Sequence, residues 1–309
     1  MRTYQFFQLD VFTDRAFCGN PLAVFPEGSG LSDGEMQQIA REMNLSETVF
    51  VLPSDKALRR LRIFTPTKEL PMAGHPVVGT WNLLAQLGII ENAPENGLIE
   101  IEHELGVGIL PVEIEFSGGK PRMVTMTQSK FTPGEIAEGV KLRTMIAESL
   151  NLTGADLIEN APVQICSTGI NILIVPVRSL EVLKRSRPNA SKMDELPPEF
   201  NGEFYLFAQE TLDGGDSIAH ARMYAPEFGI TEDPATGSAA GSLSGYLIHH
   251  GLLQADASSE NLHRFTIEQG DFMERPSRIR VEVRGTKGNI EKVRVGGASV
   301  VVAKGEIFV

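Results

Sequence analysis

The chain has 309 residues, enough for about two domains of ordinary size, and its 42% apolar and 22% charged residues exclude a largely disordered protein. Its 28 basic side chains against 40 acidic ones leave a formal net charge of −12, which argues against a nucleic-acid or anionic-membrane surface as a partner. Glycine is the one compositional excess, at 30 residues.

In chain order, Met1 to Asp10 reads as a strand and lacks the long apolar core of a signal peptide. Ser32-Asp33-Gly34-Glu35 is a capping-box pattern, and it opens a helix that aligns Met36, Ile39, Ala40 and Met43 on one face. Asn44-Leu45-Ser46-Glu47-Thr48 then turns into the apolar run Val49 to Leu52, which sets Glu47 at the mouth of a strand. Apolar neighbours there can raise a carboxyl pKa and suit it to carrying protons; the segment by itself also fits a solvated carboxylate. Further alternating runs predict strands at Leu61–Phe64, Arg122–Met126, Ile172–Val175, Ile279–Val283, Val293–Val295 and Ser299–Val302. Turns are predicted at Ser117–Pro121 and Gly285–Asn289, and a short helix at Ile146–Leu150. No run approaches 18 consecutive apolar residues, so no membrane span is expected. Only Cys18 and Cys166 are present, without a C-x-x-C pair, which fits two free thiols in a cytoplasmic protein and neither a disulfide framework nor a zinc site.

The most informative feature is an internal repeat. Glu69-Leu70-Pro71-Met72-Ala73-Gly74-His75 aligns with Glu232-Asp233-Pro234-Ala235-Thr236-Gly237-Ser238 at a constant offset of 163 residues (74 to 237). Gly88 and Gly251 follow at the same offset, and upstream Phe64-Thr65-Pro66 echoes Tyr224-Ala225-Pro226. Two halves of one design, duplicated in tandem, explain this. Each half runs from a polar loop into a helix, about His75 to Leu87 and about Ser238 to His250, whose residues are apolar or small nearly all round. Such a helix must be wrapped on most sides, and with short strands on both flanks the wrapper is a curled sheet around one central helix per half. Both helices start at a glycine, Gly74 and Gly237, where unsatisfied N–H groups can meet a small anion without an intervening Cβ. The same glycines also fit plain tight loop-to-helix turns.

His75, Asp233 and Ser238 stand at these two starts. They do not form a hydrolase triad by pattern, since Gly237-Ser238-Ala239-Ala240-Gly241 lacks the G-x-S-x-G order, and Ser238 is expected to begin its helix as a capping hydroxyl.

Together these residues resemble the phenazine-biosynthesis PhzF-like family. The resemblance is carried by Asn44-Leu45-Ser46-Glu47-Thr48, Gly74-His75-Pro76 with Gly79-Thr80, and Glu232-Asp233-Pro234-Ala235-Thr236-Gly237-Ser238-Ala239. Asp10-Val11-Phe12 to Phe17-Cys18-Gly19-Asn20-Pro21, and Glu268-Gln269-Gly270 with Arg275-Pro276-Ser277, extend it over essentially the whole chain. The resemblance implies an α+β, diaminopimelate-epimerase-like fold. Two similar domains would each be a rolled, mostly antiparallel sheet around a central helix, with the active site in the cleft between them. The first domain is expected over 1–128 with the closing strands 289–309, and the second over 129–288.

By the same resemblance Glu47 is the catalytic acid/base, and His75, Asp233 and Ser238 surround the substrate. Gly74, Gly237, Thr236, Ala73, Gln269 and Gly270 bind it. No metal or organic cofactor is implied, and a homodimer is. Diaminopimelate epimerases place a cysteine before the glycine at each helix start; here those positions are Ala73 and Thr236, so two-cysteine racemisation is not available. The resulting expectation is a cofactor-independent isomerase that shifts a double bond on a small carboxylate-bearing metabolite. The alternatives are a cysteine-free epimerase using Glu47 with His75 or Asp233, and a non-catalytic small-acid binder. Arg185 to Asn201 matches no motif.

Overall fold

In the computed structural model, which describes residues 1–226, 230–253 and 261–309, packing groups Met1–Thr127 and Gly296–Val309 into one unit and Gln128–Val295 into a second. The first unit begins with β1 (Thr3–Val11) and β2 (Asn20–Phe25), then α1 (Asp33–Met43), β3 (Glu47–Leu52), β4 (Arg60–Phe64) and β5 (Glu69–Leu70). Helix α2 (Gly74–Gln86) follows, and then the meander β6 (Gly97–Leu105), β7 (Gly108–Ser117) and β8 (Lys120–Thr127). The capping box holds as expected: the Ser32 hydroxyl accepts from Glu35 N, and Glu35 Oε2 accepts from Ser32 N at 2.8 Å. Asn44, left-handed at φ 49°, ends α1 and turns the chain into β3 with Glu47 as its first residue. Strand β2 runs parallel to β3 in the register Leu22↔Glu47, whereas β1–β2, β3–β4, β6–β7 and β7–β8 are antiparallel.

Helix α2 is enclosed by this sheet. Every residue from His75 to Ala85 is buried, and the helix packs on β1, β2, β3 and β8. Burying Val77, Val78, Leu83 and Leu84 stabilises the unit by ~1.5–3 kcal/mol per side chain. Gly79 is where the sheet comes closest: a Cβ there would lie 2.7 Å from both Leu22 Cδ2 and Val11 Cγ2.

The second unit repeats the plan with an added helical layer. It comprises β9 (Thr132–Ile136), α3 (Gly139–Ser149), β10 (Gln164–Ser167), β11 (Asn171–Pro176), α4 (Leu180–Arg185), α5 (Ala190–Met193), β12 (Glu203–Ala208) and β13 (Ser217–Ala225). After these come β14 (Ile230–Asp233), α6 (Gly237–His249), β15 (Leu262–Gln269), β16 (Ser277–Thr286) and β17 (Asn289–Gly297). Pairings β9–β10, β10–β11, β12–β13, β13–β14 and β15–β16 are antiparallel, and β11–β12 and β13–β15 parallel. Along β12, Phe204, Leu206 and Ala208 join the core beneath α3, α4 and α5, while the alternate residue Phe207 meets Tyr246 of α6. The helix expected at Ile146–Leu150 is the end of the longer α3. The segment Arg185 to Asn201, silent in sequence, supplies α5 and part of this outer layer through Met193, Leu196 and Phe200.

Helix α6 is buried over Gly237 and from Ala239 to Ile248, against β10, β11 and β16. The last strand, β18 (Ser299–Phe308), returns to the first unit and pairs antiparallel along β1. The α+β class and the sheet rolled around one helix, expected from the sequence, are thus what each unit has. Both central helices have 13 residues and begin at the expected glycines, Gly74 and Gly237. Past their ends, Gly88 and Gly251 take φ of +73° and +69°, the left-handed exit from a helix. Among the described residues, no helix is long and apolar enough to cross a membrane.

Candidate active site

In the first unit, the β2–β3 register and the short hairpin β4–β5 bring the start of β3 next to the start of α2. Glu47 Oε2 lies 3.3 Å from His75 Nε2, and both side chains are largely enclosed, at 13% and 8% exposure. His75 Nε2 makes no hydrogen bond among the described residues, so this approach is a close polar contact without hydrogen-bond geometry. Burial pushes the His75 imidazole down to about 3, so the ring is neutral near pH 7. The neutral ring thus stands against the Glu47 carboxylate as a close polar neighbour and not as an ion-pair partner. Ala73 occupies the N-cap of α2 and offers no side-chain cap, and Gly74 has open space where a Cβ would stand.

In the second unit, hairpin β13–β14 carries Asp233 to the loop that enters α6. The Thr236 hydroxyl donates to Asp233 Oδ2. Gln269, fully buried at the end of β15, holds this loop from beneath. Its Nε2 donates to Asp233 O at 2.8 Å and to Thr236 Oγ1 at 3.2 Å, and its Oε1 accepts from Thr236 N at 3.1 Å and from Tyr205 Oη at 2.8 Å. The amide is thereby committed to shaping the loop, and burial pushes the Tyr205 phenol well up, keeping it a donor. Gly270 has φ +82°, and a Cβ there would stand 2.3 Å from Arg275 O and 2.5 Å from Pro234 O, so only glycine lets the chain turn at this point.

Ser238 differs from its expected role. The N-cap is Thr236, no side chain caps α6, and Ser238 is the second helical residue, half-buried, with its carbonyl accepting from Thr168 Oγ1 at 3.2 Å. The helix begins earlier because Gly237 already adopts the helical turn, which leaves the Ser238 hydroxyl beyond reach of a capping geometry.

The two helix starts therefore share a design. Neither has a side-chain cap or an acidic residue in its first turn, a state α3 shares, whereas the N-caps of α1, α4 and α5, Ser32, Ser179 and Asn189, each accept a backbone N–H. An uncapped helix start keeps N–H groups and a partial positive charge available to an anion. The structure groups Glu47, His75, Ala73 and Gly74 in the first unit, and Asp233, Thr236, Gly237, Ser238, Gln269 and Gly270 in the second. Sequence reasoning missed Tyr205 and Thr168, which lie inside ordinary apolar strands or turns and carry no local signal. It also missed Arg62 and Arg222, whose matching places, two residues before Phe64 and Tyr224, could have been read from the repeat.

The family model for phenazine biosynthesis-like proteins matches residues 9–305. An uncharacterized isomerase of Clostridium acetobutylicum is 38% identical over 311 residues, covering 99% of each chain. The trans-2,3-dihydro-3-hydroxyanthranilate isomerase of Pseudomonas aeruginosa is 30% identical over 306 residues, again covering 99% of each. The crystal structure of the Bacillus anthracis phenazine biosynthesis protein of the PhzF family superposes with a TM-score of 0.88 at 29% identity, over 100% of each chain.

Proposed function

Because this chain belongs to the phenazine-biosynthesis PhzF-like family and is an isomerase, we propose that it shifts a double bond on a small carboxylate-bearing metabolite, with Glu47 as the acid/base. The Glu47 carboxylate takes a proton from one carbon. The electron pair left behind forms the new C=C as the old one opens, and Glu47 returns the proton to the far carbon of the allylic unit. His75, neutral by burial, orients the carboxylate and steadies its charge. The uncapped start of α2, in the same unit as Glu47, holds the substrate carboxylate through backbone N–H groups and stabilises charge as the C–H bond breaks. Asp233, fixed through Thr236 and Gln269, serves as the polar contact that sets the substrate's orientation.

The observation that carries this reading is the enclosed Glu47–His75 contact at 3.3 Å beside an uncapped helix start. The test is turnover of trans-2,3-dihydro-3-hydroxyanthranilate, the compound in the name of the Pseudomonas relative, and of related unsaturated carboxylates in D₂O. Glu47→Gln is expected to lower turnover by at least about 10²-fold with the fold intact. Full activity in that variant refutes the assignment, and deuterium incorporated with inversion at one carbon, without a double-bond shift, replaces it with epimerisation.

A further inference from the structure

The two central helices differ where their enclosing strands come closest. In α2 that approach is apolar, with Leu22 and Val11 set against Gly79. The 163-residue offset places Ser242 of α6 at the matching position (79 to 242), and there the surroundings are polar. The Thr168 hydroxyl lies 3.3 Å from Ser242 Oγ and donates to Ser238 O at 3.2 Å. A Cβ on the neighbouring Gly241 would stand 3.2 Å from Thr168 Oγ1 and 3.4 Å from Gln128 Cγ. The first unit closes on this position with apolar side chains, so packing does not itself require an amide at the same place in the second.

The order of contacts along α6 places Gln128 near its start. Phe131 fills the space over Gly245, Gln128 that over Gly241 one turn earlier, and one further turn back is Gly237, where the helix begins. The backbone here is fixed: Gln128 N donates to Val293 O at 2.9 Å, and Ser129 N to Thr168 O at 3.1 Å. The Gln128 side chain is only 8% exposed, yet its Nε2 has no hydrogen-bond partner among the described residues. Buried amide donors are nearly always paired, and one left open beside an uncapped helix start points to an acceptor that comes from outside the chain.

We propose that Gln128 is a substrate-binding residue, whose Nε2 donates to a hydroxyl, carbonyl or carboxylate oxygen of the substrate held at the start of α6. This deepens the proposed function and rests on it, since Asp233, in the loop that enters the same helix, is there the polar contact that orients the substrate. Ser238, half-buried and three residues before Gly241 on the same helix face, is the neighbouring polar group at that start. A fixed N–H donor here selects an acceptor oxygen and rejects an ammonium group in the same position.

Calorimetric titration with 3-hydroxybenzoate, a stable acid that offers both hydroxyl and carboxylate oxygens, tests this. Gln128→Met, of similar length but without a donor, is expected to weaken binding at least about fivefold. Its melting temperature without ligand should equal or exceed that of the wild type, because the change removes an unpaired buried donor. Equal binding by the wild type and Gln128→Met, absence of binding by both included, overturns the proposal. A markedly lower melting temperature in Gln128→Met also overturns it, by making the amide a structural group. The Glu47 assignment is decided separately, by turnover of Glu47→Gln, so either can fail while the other stands.

Discussion

Arg222 and Glu232 meet through two parallel bonds, Nε to Oε1 at 2.8 Å and Nη2 to Oε2 at 2.7 Å, and Arg62 and Glu69 repeat the fork in the first unit at 2.8 and 2.6 Å. Each guanidinium also lies 5.1 Å from an aromatic ring two residues on, Tyr224 or Phe64. In both units the fork ties the two strands of the hairpin to each other, just before the loop that enters the central helix. The duplication thus preserved the brace as well as the helix start.

The two forks should differ in worth. The Arg222–Glu232 pair is 3% and 15% exposed, and Arg222 Nη1 also donates to Leu183 O and Lys184 O at the end of α4; the Arg62–Glu69 pair is 14% and 40% exposed. Glu232→Gln is expected to cost about 3–5 kcal/mol by stranding a buried guanidinium, and Glu69→Gln about 1 kcal/mol or less. Urea midpoints of the two variants check this; equal losses would contradict it.

Acid should weaken the fold before the carboxylates titrate. Burial lowers His75 to about 3 and His103 to about 4, against about 6.5 in an unfolded chain. Below pH 6.5 these two side chains therefore bind more protons in the unfolded chain than in the folded one, so their contribution to stability falls as pH falls, against a smaller opposite contribution from Glu203, which burial raises to about 7. Each histidine contributes a loss of about 2 kcal/mol between pH 6.5 and pH 5. The His103 ring lies 5.8 Å from Trp81, the one tryptophan, whose fluorescence can follow urea unfolding at each pH. His103→Phe should remove about 2 kcal/mol of the acid-dependent loss between pH 6.5 and pH 5, and an unchanged slope would exclude His103 as a source.

Two glycines should respond in opposite ways to alanine. A Cβ on Gly245 would stand 2.3 Å from Phe131 Cδ2 inside the second unit, so Gly245→Ala should destabilise by about 1–3 kcal/mol. Gly74 has no neighbour within 4 Å of the added atom, so Gly74→Ala should melt as the wild type does. If the α2 start receives a carboxylate, the same variant should raise KM several-fold, and unaltered kinetics would remove Gly74 from the site.

The thiols should separate by reactivity. Cys166 is fully buried and its pKa is pushed up to about 12 by that burial, whereas Cys18 is half-exposed. A thiol-reactive disulfide reagent should modify one cysteine per native chain, and peptide mapping should find it at Cys18. Rapid modification of Cys166 without unfolding would contradict the packing around it.

The sequence by itself determined the rolled-sheet architecture, because a repeat of helices apolar all round leaves few ways to bury them, and it identified Gly74 and Gly237 as helix starts. Glu47 and His75 were legible as candidates through motif and family resemblance, yet 28 residues of chain separate them (47 to 75) and their 3.3 Å contact follows from strand register. Only the tertiary structure decided that Thr236 rather than Ser238 is the N-cap of α6, and that Gln269 spends its amide on the loop around Asp233. Glu203 is the clearest case of the difference. In sequence it is one more acidic residue before an apolar strand; in the structure, the alternation of β12 sets it half-buried on the face of Tyr205 and Phe207, where burial and then the charge of Asp233 push its carboxyl up to about 7. Local patterns encode periodicity and caps, whereas proximity and desolvation, which set the chemistry of a carboxyl, arise only when distant strands pack together.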